Sequence, residues 1–319
     1  MTITECAEWL LGRDNFLILT HRRPDGDTLG SAAALANSLR RLGKTAYLFQ
    51  NSEVTERYLP FVKDFIAPVS FTPNFVITVD LASTAMMPSN VGIHAEAVAL
   101  SIDHHPSNSG YAKHTLVDPL RAACGEIVYD LIEKMLGSVD VASATALYVA
   151  IATDTGCFSY ENTTAGSFYV AAKLAEYGAD VAALNRYLFR SKSRGRITVE
   201  GMVYSSMEFL FDNRAVIVIL TDEMLKKAGT SEDDMENIAA FPVMVDGVEV
   251  GATIRELPDG RSKVSMRSGA TVDSNEICAR FGGGGHSSAA GFATSRSTQE
   301  VRTRLIPVLS EFLGYDGNN

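Results

Sequence analysis

Ala97-Val-Ala-Leu-Ser-Ile102 runs directly into Asp103-His104-His105. The run is short and almost continuously apolar, which reads as a strand buried on both faces. Two other runs have the same form. Phe16 to Leu19 leads into His21-Arg-Arg-Pro-Asp25-Gly-Asp27, and Phe75-Val-Ile-Thr-Val79 ends at Asp80. A later helix-like stretch closes on Thr153-Asp154-Thr-Gly156. Separate strands and a helix thus deliver His and Asp to their ends, which suits a pair of metal ions working on a phosphoester and serves no purpose in a structural core.

Outward from these runs, the periodicity predicts helices over 3–12, 28–42, 125–136, 141–153 and 164–177, with Thr45 to Phe49 as a further strand. Strands alternating with helices predict an α/β fold whose parallel sheet carries helices on both faces. Residues 180–210 read as largely helical, with the basic segment Arg190-Ser-Lys-Ser-Arg-Gly-Arg196 inside. The expected division is a first domain over 1–190, a helical linker over 191–205 and a smaller α/β domain over 206–319. In that last part a strand is expected over 215–220 and a helix over 221–228. Val248 to Glu256 and Ser262 to Arg267 read as a hairpin about Pro258-Asp-Gly260. A short helix over 276–281 then precedes Gly282-Gly-Gly-Gly285-His286, and a last helix spans about 298–313.

The 319 residues, 46% of them hydrophobic, are enough for one large or two medium cores. No apolar run reaches membrane-spanning length, and the N-terminus lacks the pattern of a secretion signal. Cys6, Cys124, Cys157 and Cys278 form no CxxC pair and read as reduced thiols of a cytoplasmic protein. On that ground the sequon Asn162-Thr163-Thr164 is discounted. The net charge of −10 argues against a protein that coats long duplexes. A nucleic-acid ligand would be short and held locally.

Ligands of open parallel sheets lie outside the carboxyl ends of the strands. His21, Asp25, Asp27, Asp80, Asp103 and His104 all fall there. Asp25 and Asp27 flank one glycine, so their carboxylates can splay toward two neighbouring ions, and Gly26 is expected to allow a tight backbone path. Mixed imidazole and carboxylate donors suit Mn²⁺, with Mg²⁺ or Co²⁺ as substitutes. Two ions roughly 3.5–4 Å apart would clamp phosphoryl oxygens and lower the pKa of a bound water from about 15.7 toward 7. Taken singly, each motif is more often a helix cap or a structural histidine. Their recurrence at matching strand ends decides for metal. His94 and His114 fit no motif and read as surface residues.

The chain resembles the DHH phosphoesterase family. The resemblance rests on His21-x-x-Pro-Asp25-Gly-Asp27-x-x-Gly30-Ser31, Asp80, the triplet Asp103-His104-His105 and Asp154. The Gly-Gly-Gly-His stretch ending at His286 is similar to that of the DHH-associated C-terminal domain. The resemblance implies one Mn²⁺ on His21, Asp25 and Asp80, and a second on Asp27, Asp80, His104 and Asp154, with Asp80 bridging. It implies that Asp103 orients a histidine and that His105 lies near the substrate phosphate. Arg267, Ser268, Gly284, Gly285 and His286 carry over as substrate binders. From the residues alone, the four glycines offer free N–H groups before a helix start, an anion-binding geometry. Arg22, Arg23 and Arg121 are equally readable as phosphate contacts or as solvated arginines.

Among family members, the two-domain plan resembles bacterial nanoRNases that also act on 3′-phosphoadenosine 5′-phosphate (PAP). Such an enzyme degrades RNA of about two to five nucleotides to 5′-mononucleotides and removes the 3′-phosphate of PAP, as a cytoplasmic protein and a candidate homodimer. Its partners would be short single-stranded RNA and nucleoside bisphosphates, with no long duplex and no membrane. The alternatives are a linear or cyclic dinucleotide phosphodiesterase, an inorganic pyrophosphatase or exopolyphosphatase, and a non-catalytic nucleotide sensor. A sensor would have lost a ligand, and every expected ligand is present.

Overall fold

The computed structural model describes residues 1–231, 234–235 and 237–315. The chain divides into two compact units, Met1–Ser191 and Lys192–Asn319. In the first unit the order is α1 (Ile3–Leu11), β1 (Phe16–Leu19), α2 (Gly26–Arg41), β2 (Ala46–Leu48), a single-turn α3 (Leu59–Val62), β3 (Phe75–Val79), β4 (Val98–Asp103) and β5 (His114–Val117). Four helices follow: α4 (Cys124–Leu136), α5 (Val141–Asp154), α6 (Ala165–Glu176) and α7 (Val181–Asn185). The sheet order is β2-β1-β3-β4-β5, with every pairing parallel.

Alternation along the strands explains both faces. Phe16 and Ile18 point into the larger core with α1, α2, α4 and α5, whereas Leu17 and Leu19 point into a smaller one. The smaller core is covered by short 3₁₀ helices, Thr84–Met86 and Gly92–Glu96, with Tyr111 and Phe71. Strand order reverses between β1 and β3, so the carboxyl ends of these two strands open a crevice. His94 is half-buried beside Phe49, and His114 begins β5, a strand the sequence reading passed over.

Helix α2 begins at Gly26, two residues earlier than expected, because Asp25 caps it by accepting from the N–H groups of Asp27 and Thr28. Gly26 has no positive φ, so the tight-path reading is corrected. A Cβ there would lie 2.3 Å from Thr153 Oγ1, and one on Gly30 would lie 2.3 Å from the carbonyl of Ala146. These glycines let α2 lie against α5, which brings Asp27 close to Asp154.

The second unit contains α8 (Arg194–Ser205), β6 (Glu208–Leu210), β7 (Ala215–Leu220), α9 (Asp222–Ala228), β8 (Val250–Glu256), β9 (Ser262–Ser268), α10 (Ser274–Ala279), β10 (Gly284–His286), β11 (Ala289–Thr294) and α11 (Thr298–Phe312). Its sheet order is β10-β11-β9-β8-β7-β6, antiparallel except for β7 with β8. Residues 208–210, expected to be helical, are a strand, because pairing with β7 outweighs the local preference of so short a segment. Residues 194–205, read as part of a linker, pack Val199 and Val203 against Val216 and Val218 inside this unit. Among the described residues, no helix is long and apolar enough to cross a membrane.

Candidate metal centre and nucleotide-contact face

The carboxyl edge of the first sheet gathers the expected residues. His21 follows β1, Asp80 follows β3, Asp103 ends β4, and Asp154 ends α5. His21 Nε2 lies 3.5 Å from Asp25 Oδ1 and 3.7 Å from Asp80 Oδ2. His104 Nε2 lies 3.3 Å from Asp80 Oδ1, 3.7 Å from Asp154 Oδ2 and 3.8 Å from Asp27 Oδ2. Two trios result, His21/Asp25/Asp80 and Asp27/His104/Asp154. In each, the donor atoms lie within 4.8 Å of one another, as they do in Asp80/His104/His105.

Each histidine has its tautomer set by the opposite nitrogen. His21 Nδ1–H donates to the carbonyl of Arg22 at 2.8 Å, and His104 Nδ1–H donates to that of Arg121 at 3.1 Å. Both Nε2 atoms therefore face the carboxylates, the arrangement of a metal-ligating imidazole once Nε2 sheds its proton. Asp27 is pinned by the N–H groups of Cys124 and Gly125 at 2.7 and 3.0 Å and by the Ser31 hydroxyl at 3.1 Å.

Asp80 is the strained member. Its φ is +55°, an uncommon region for a side-chain-bearing residue, and its N–H is held by the carbonyl of Ile102 at 2.9 Å. Its Oδ1 is buried and accepts no hydrogen bond. A buried, orphaned carboxylate oxygen is costly. It sits between the Nε2 of His104 and the Nδ1 of His105, where a cation would satisfy it.

The electrostatics agree. Burial, with the charges of Asp80 and Asp154, raises Asp27 well above the usual carboxylate range. Burial also lifts Asp154 to about 6, with Asp80 and Asp25 adding to the rise against the opposing pull of His104. Burial opposes charge on His21 and His104, yet the neighbouring acids overcome it and lift them to about 9 and about 10. The cluster carries an excess of negative charge that a divalent pair would offset. The donor set therefore fits two cations of the borderline class.

His105 is placed differently. Its Nδ1–H donates to Asp103 Oδ1 at 2.8 Å, a bond that raises its pKa. Asp103 also accepts from the main-chain N–H groups of His104 and His105 and, at 2.6 Å, from Asn108 Nδ2. These contacts outweigh burial and hold it below the usual carboxylate range. The histidine that Asp103 orients is thus His105, a half-buried ring. Arg121 is not free for phosphate: its guanidinium meets Asp118 at 3.2 Å, Glu126 at 3.7 Å, and Asp130.

The sequence reading missed several supports. Asn51 donates to the carbonyl of His21 at 2.9 Å, and Asn108 holds Asp103. Both follow strands of the same sheet edge, so polar residues after β2 and β4 carried that signal. The main-chain groups of Arg121, Cys124 and Gly125 carried none.

In the second unit Val264 and Met266 face the core with Ala290 and Phe292. Arg267 and Ala289 therefore face the other way. Ala289 pairs with both Arg267 and His286, so these two side chains share one cross-strand row, about 10 Å apart over a small alanine. Ser268 is engaged elsewhere, sharing a hydrogen bond with the Ser274 hydroxyl at 2.8 Å and donating to the Ser287 carbonyl at 3.1 Å.

The expected helix start after the glycines is overturned. Gly284 to His286 is an edge strand, and the N–H groups of Gly282, Gly283 and Gly285 are taken by Ala279, Cys278 and the Asn275 side chain. The end of α10 and the Asn275 side chain thus take N–H groups that an anion nest would have offered.

Residues 15–153 match the DHH family, N-terminal domain, and residues 212–314 match the DHHA1 domain. A protein of Thermus thermophilus, "Bifunctional oligoribonuclease and PAP phosphatase NrnA", is 36% identical over 86% of this chain and 82% of its own length. A Streptococcus mutans protein named as a probable enzyme of the same kind is 30% identical over 90% of this chain and 91% of its own. The crystal structure of an exopolyphosphatase-related protein from Bacteroides fragilis shares the fold, with a TM-score of 0.87 and 22% identity over 98% of this chain and 97% of that one. The chain belongs to the DHH phosphoesterase family, with an N-terminal DHH domain and a C-terminal DHHA1 domain.

Proposed function

We propose that the protein is a cytoplasmic, Mn²⁺-dependent phosphoesterase that trims RNA of about two to five nucleotides to 5′-mononucleotides and converts PAP to AMP, acting as a homodimer. One observation carries the reading: two His/Asp trios lie on either side of the buried Asp80 carboxylate, its Oδ2 toward His21 and its unsatisfied Oδ1 toward His104, in a chain whose relatives bear these activities in their names. His21, Asp25 and Asp80 would hold one ion, and Asp27, Asp80, His104 and Asp154 the other. When bound, such ions neutralise phosphoryl charge and acidify water.

Both reactions cut the same bond, from phosphorus to a 3′-oxygen, so one arrangement serves both. His21 and His104 keep Nε2 turned inward because their Nδ1–H groups are committed to carbonyls. His105, charged more readily because Asp103 accepts from its Nδ1–H, offers Nε2–H to the departing 3′-oxygen. Arg267 and His286, with Ser268, Gly284 and Gly285 beside them, would grip the nucleotide away from the cut.

The test is one Mn²⁺ panel: labelled di- to pentanucleotides, PAP, pyrophosphate, linear pApA and cyclic di-AMP, read by mass spectrometry. Mononucleotides from the short RNAs and AMP from PAP are expected. Turnover of pyrophosphate or cyclic di-AMP alone would replace the reading, and no turnover of any substrate would end it.

A further inference from the structure

The stretch Asp118–Gly125, leading from β5 into α4, holds two donors of one trio directly and is tied to the main chain of the third, Asp154, through Asn162. The N–H groups of Cys124 and Gly125 hold Asp27, and the carbonyl of Arg121 holds His104. Asn162 completes the set. Its amide nitrogen donates to the carbonyl of Ala122 and to that of Asp154, each at 3.1 Å. Both partners are acceptors, which fixes the end of the amide that faces them.

The stretch is itself braced. Arg121 is clamped by Asp118 and Asp130 and lies 3.7 Å from the buried Glu126, which accepts from Ser167 at 2.7 Å. Among the described residues, no hydrogen bond runs from this stretch to His21 or Asp25. His21 takes its support from Asn51 and Arg22 instead, and Asp25 from the start of α2.

We infer that Asp118–Gly125, fastened by Asn162 and Arg121, is the positioning element for the cation of Asp27, His104 and Asp154, and that the cation of His21 and Asp25 is set independently of it. The inference rests on the two-cation reading above. Asn162 and Arg121 act as positioning residues: they orient ligands and touch no reacting atom. The Asn162 amide is thereby given a use, where the sequence offered only a discounted sequon.

Manganese titration of the full chain, by calorimetry and electron paramagnetic resonance, tests it. Wild type should take up two ions and, when full, show the exchange-coupled signal of an adjacent pair. Asn162→Ala should weaken one ion roughly ten- to a hundredfold, lose the coupled signal at concentrations that fill wild type, and leave the other ion's affinity unchanged. His21→Ala, the reciprocal control, should weaken the ion that Asn162→Ala spares. Arg121→Gln, which removes the second fastening, should repeat the Asn162→Ala pattern. Melting of the metal-free proteins separates folding from binding. If Arg121→Gln does not fold, Asn162→Ala decides, since that side chain is exposed. Equal weakening of both ions, or of neither, in a folded variant overturns the inference. A wild type that binds no pair of ions overturns the two-cation reading instead.

Discussion

Asp27 and Asp80 in the first unit are 1% and 3% exposed, whereas Gly284, Gly285 and His286 in the second lie open to solvent. The first set is over-determined. His21, Asp25, Asp27 and His104 are each fixed by a capping bond or a main-chain group, and the core beneath holds the Asp80 carboxylate among them. The second set is placed by strand register, with one bond from the Gly285 N–H to Asn275. Arg267 and His286 meet on one row because both pair with Ala289. A buried polar cluster is energetically demanding and suits binding of charge, while an open row on a sheet costs little and suits reversible contact with a ligand.

Four measurements would break or sharpen this contrast. Asp80→Ala should have the largest effect, removing nearly all turnover on every substrate, since its carboxylate faces His21 with one oxygen and His104 with the other. Retention of more than about a tenth of wild-type turnover would refute the shared role, a tenfold loss corresponding to about 1.4 kcal/mol of barrier. Gly30→Ala comes next. Its new Cβ would press on the backbone carbonyl of Ala146, and the misfit should cost about 1–3 kcal/mol, read as a lower unfolding midpoint in urea. An unchanged midpoint would show that α2 and α5 can part without loss.

The third measurement is the pH dependence of melting in the chelator-treated protein. Folded His21 and His104 bind protons more tightly than they do in the unfolded chain, up to about 9 and about 10. Their contribution is therefore complete below the ordinary histidine range, near 6.5, and is lost as pH rises through those values. The melting temperature should fall between pH 6.5 and 10 without metal. With Mn²⁺ the stabilisation should grow over the lower part of that range, because ligands must shed protons to bind. A flat profile without metal would mean that the acids do not charge these histidines.

The smallest effect belongs to the open row. His286→Ala should raise KM for a dinucleotide about tenfold while slowing a generic phosphoester far less. Equal loss on both substrates would move His286 from gripping to chemistry, or to structure.

Much of the first unit was legible because its signals are local. Continuous apolar runs ending in His or Asp specify a buried parallel strand and what emerges from its carboxyl end. Asp25 shows why a bland reading and a functional one need not compete, since it caps α2 and also faces His21. β5 escaped notice because His114-Thr-Leu-Val117 is short and only half apolar, and its pairing with β4 makes it a strand. In the second unit the glycine run was misread as a helix approach. Glycines specify freedom, and the partner β11, which decides how that freedom is used, comes after them in the chain.

The sequence by itself determined the donor inventory, the parallel α/β class of the first unit and the identity of the residues at its strand ends, because side-chain chemistry and hydrophobic period are properties of neighbours along the chain. Only the tertiary structure decided that those donors sort into two trios with the Asp80 carboxylate between their histidines, that Asp103 serves His105, that Arg121 is clamped by acids, and that Asn162 ties Asp154 to the loop before α4. Those facts depend on contacts between residues far apart in sequence, fixed by strand order and by how closely α2 and α5 can approach.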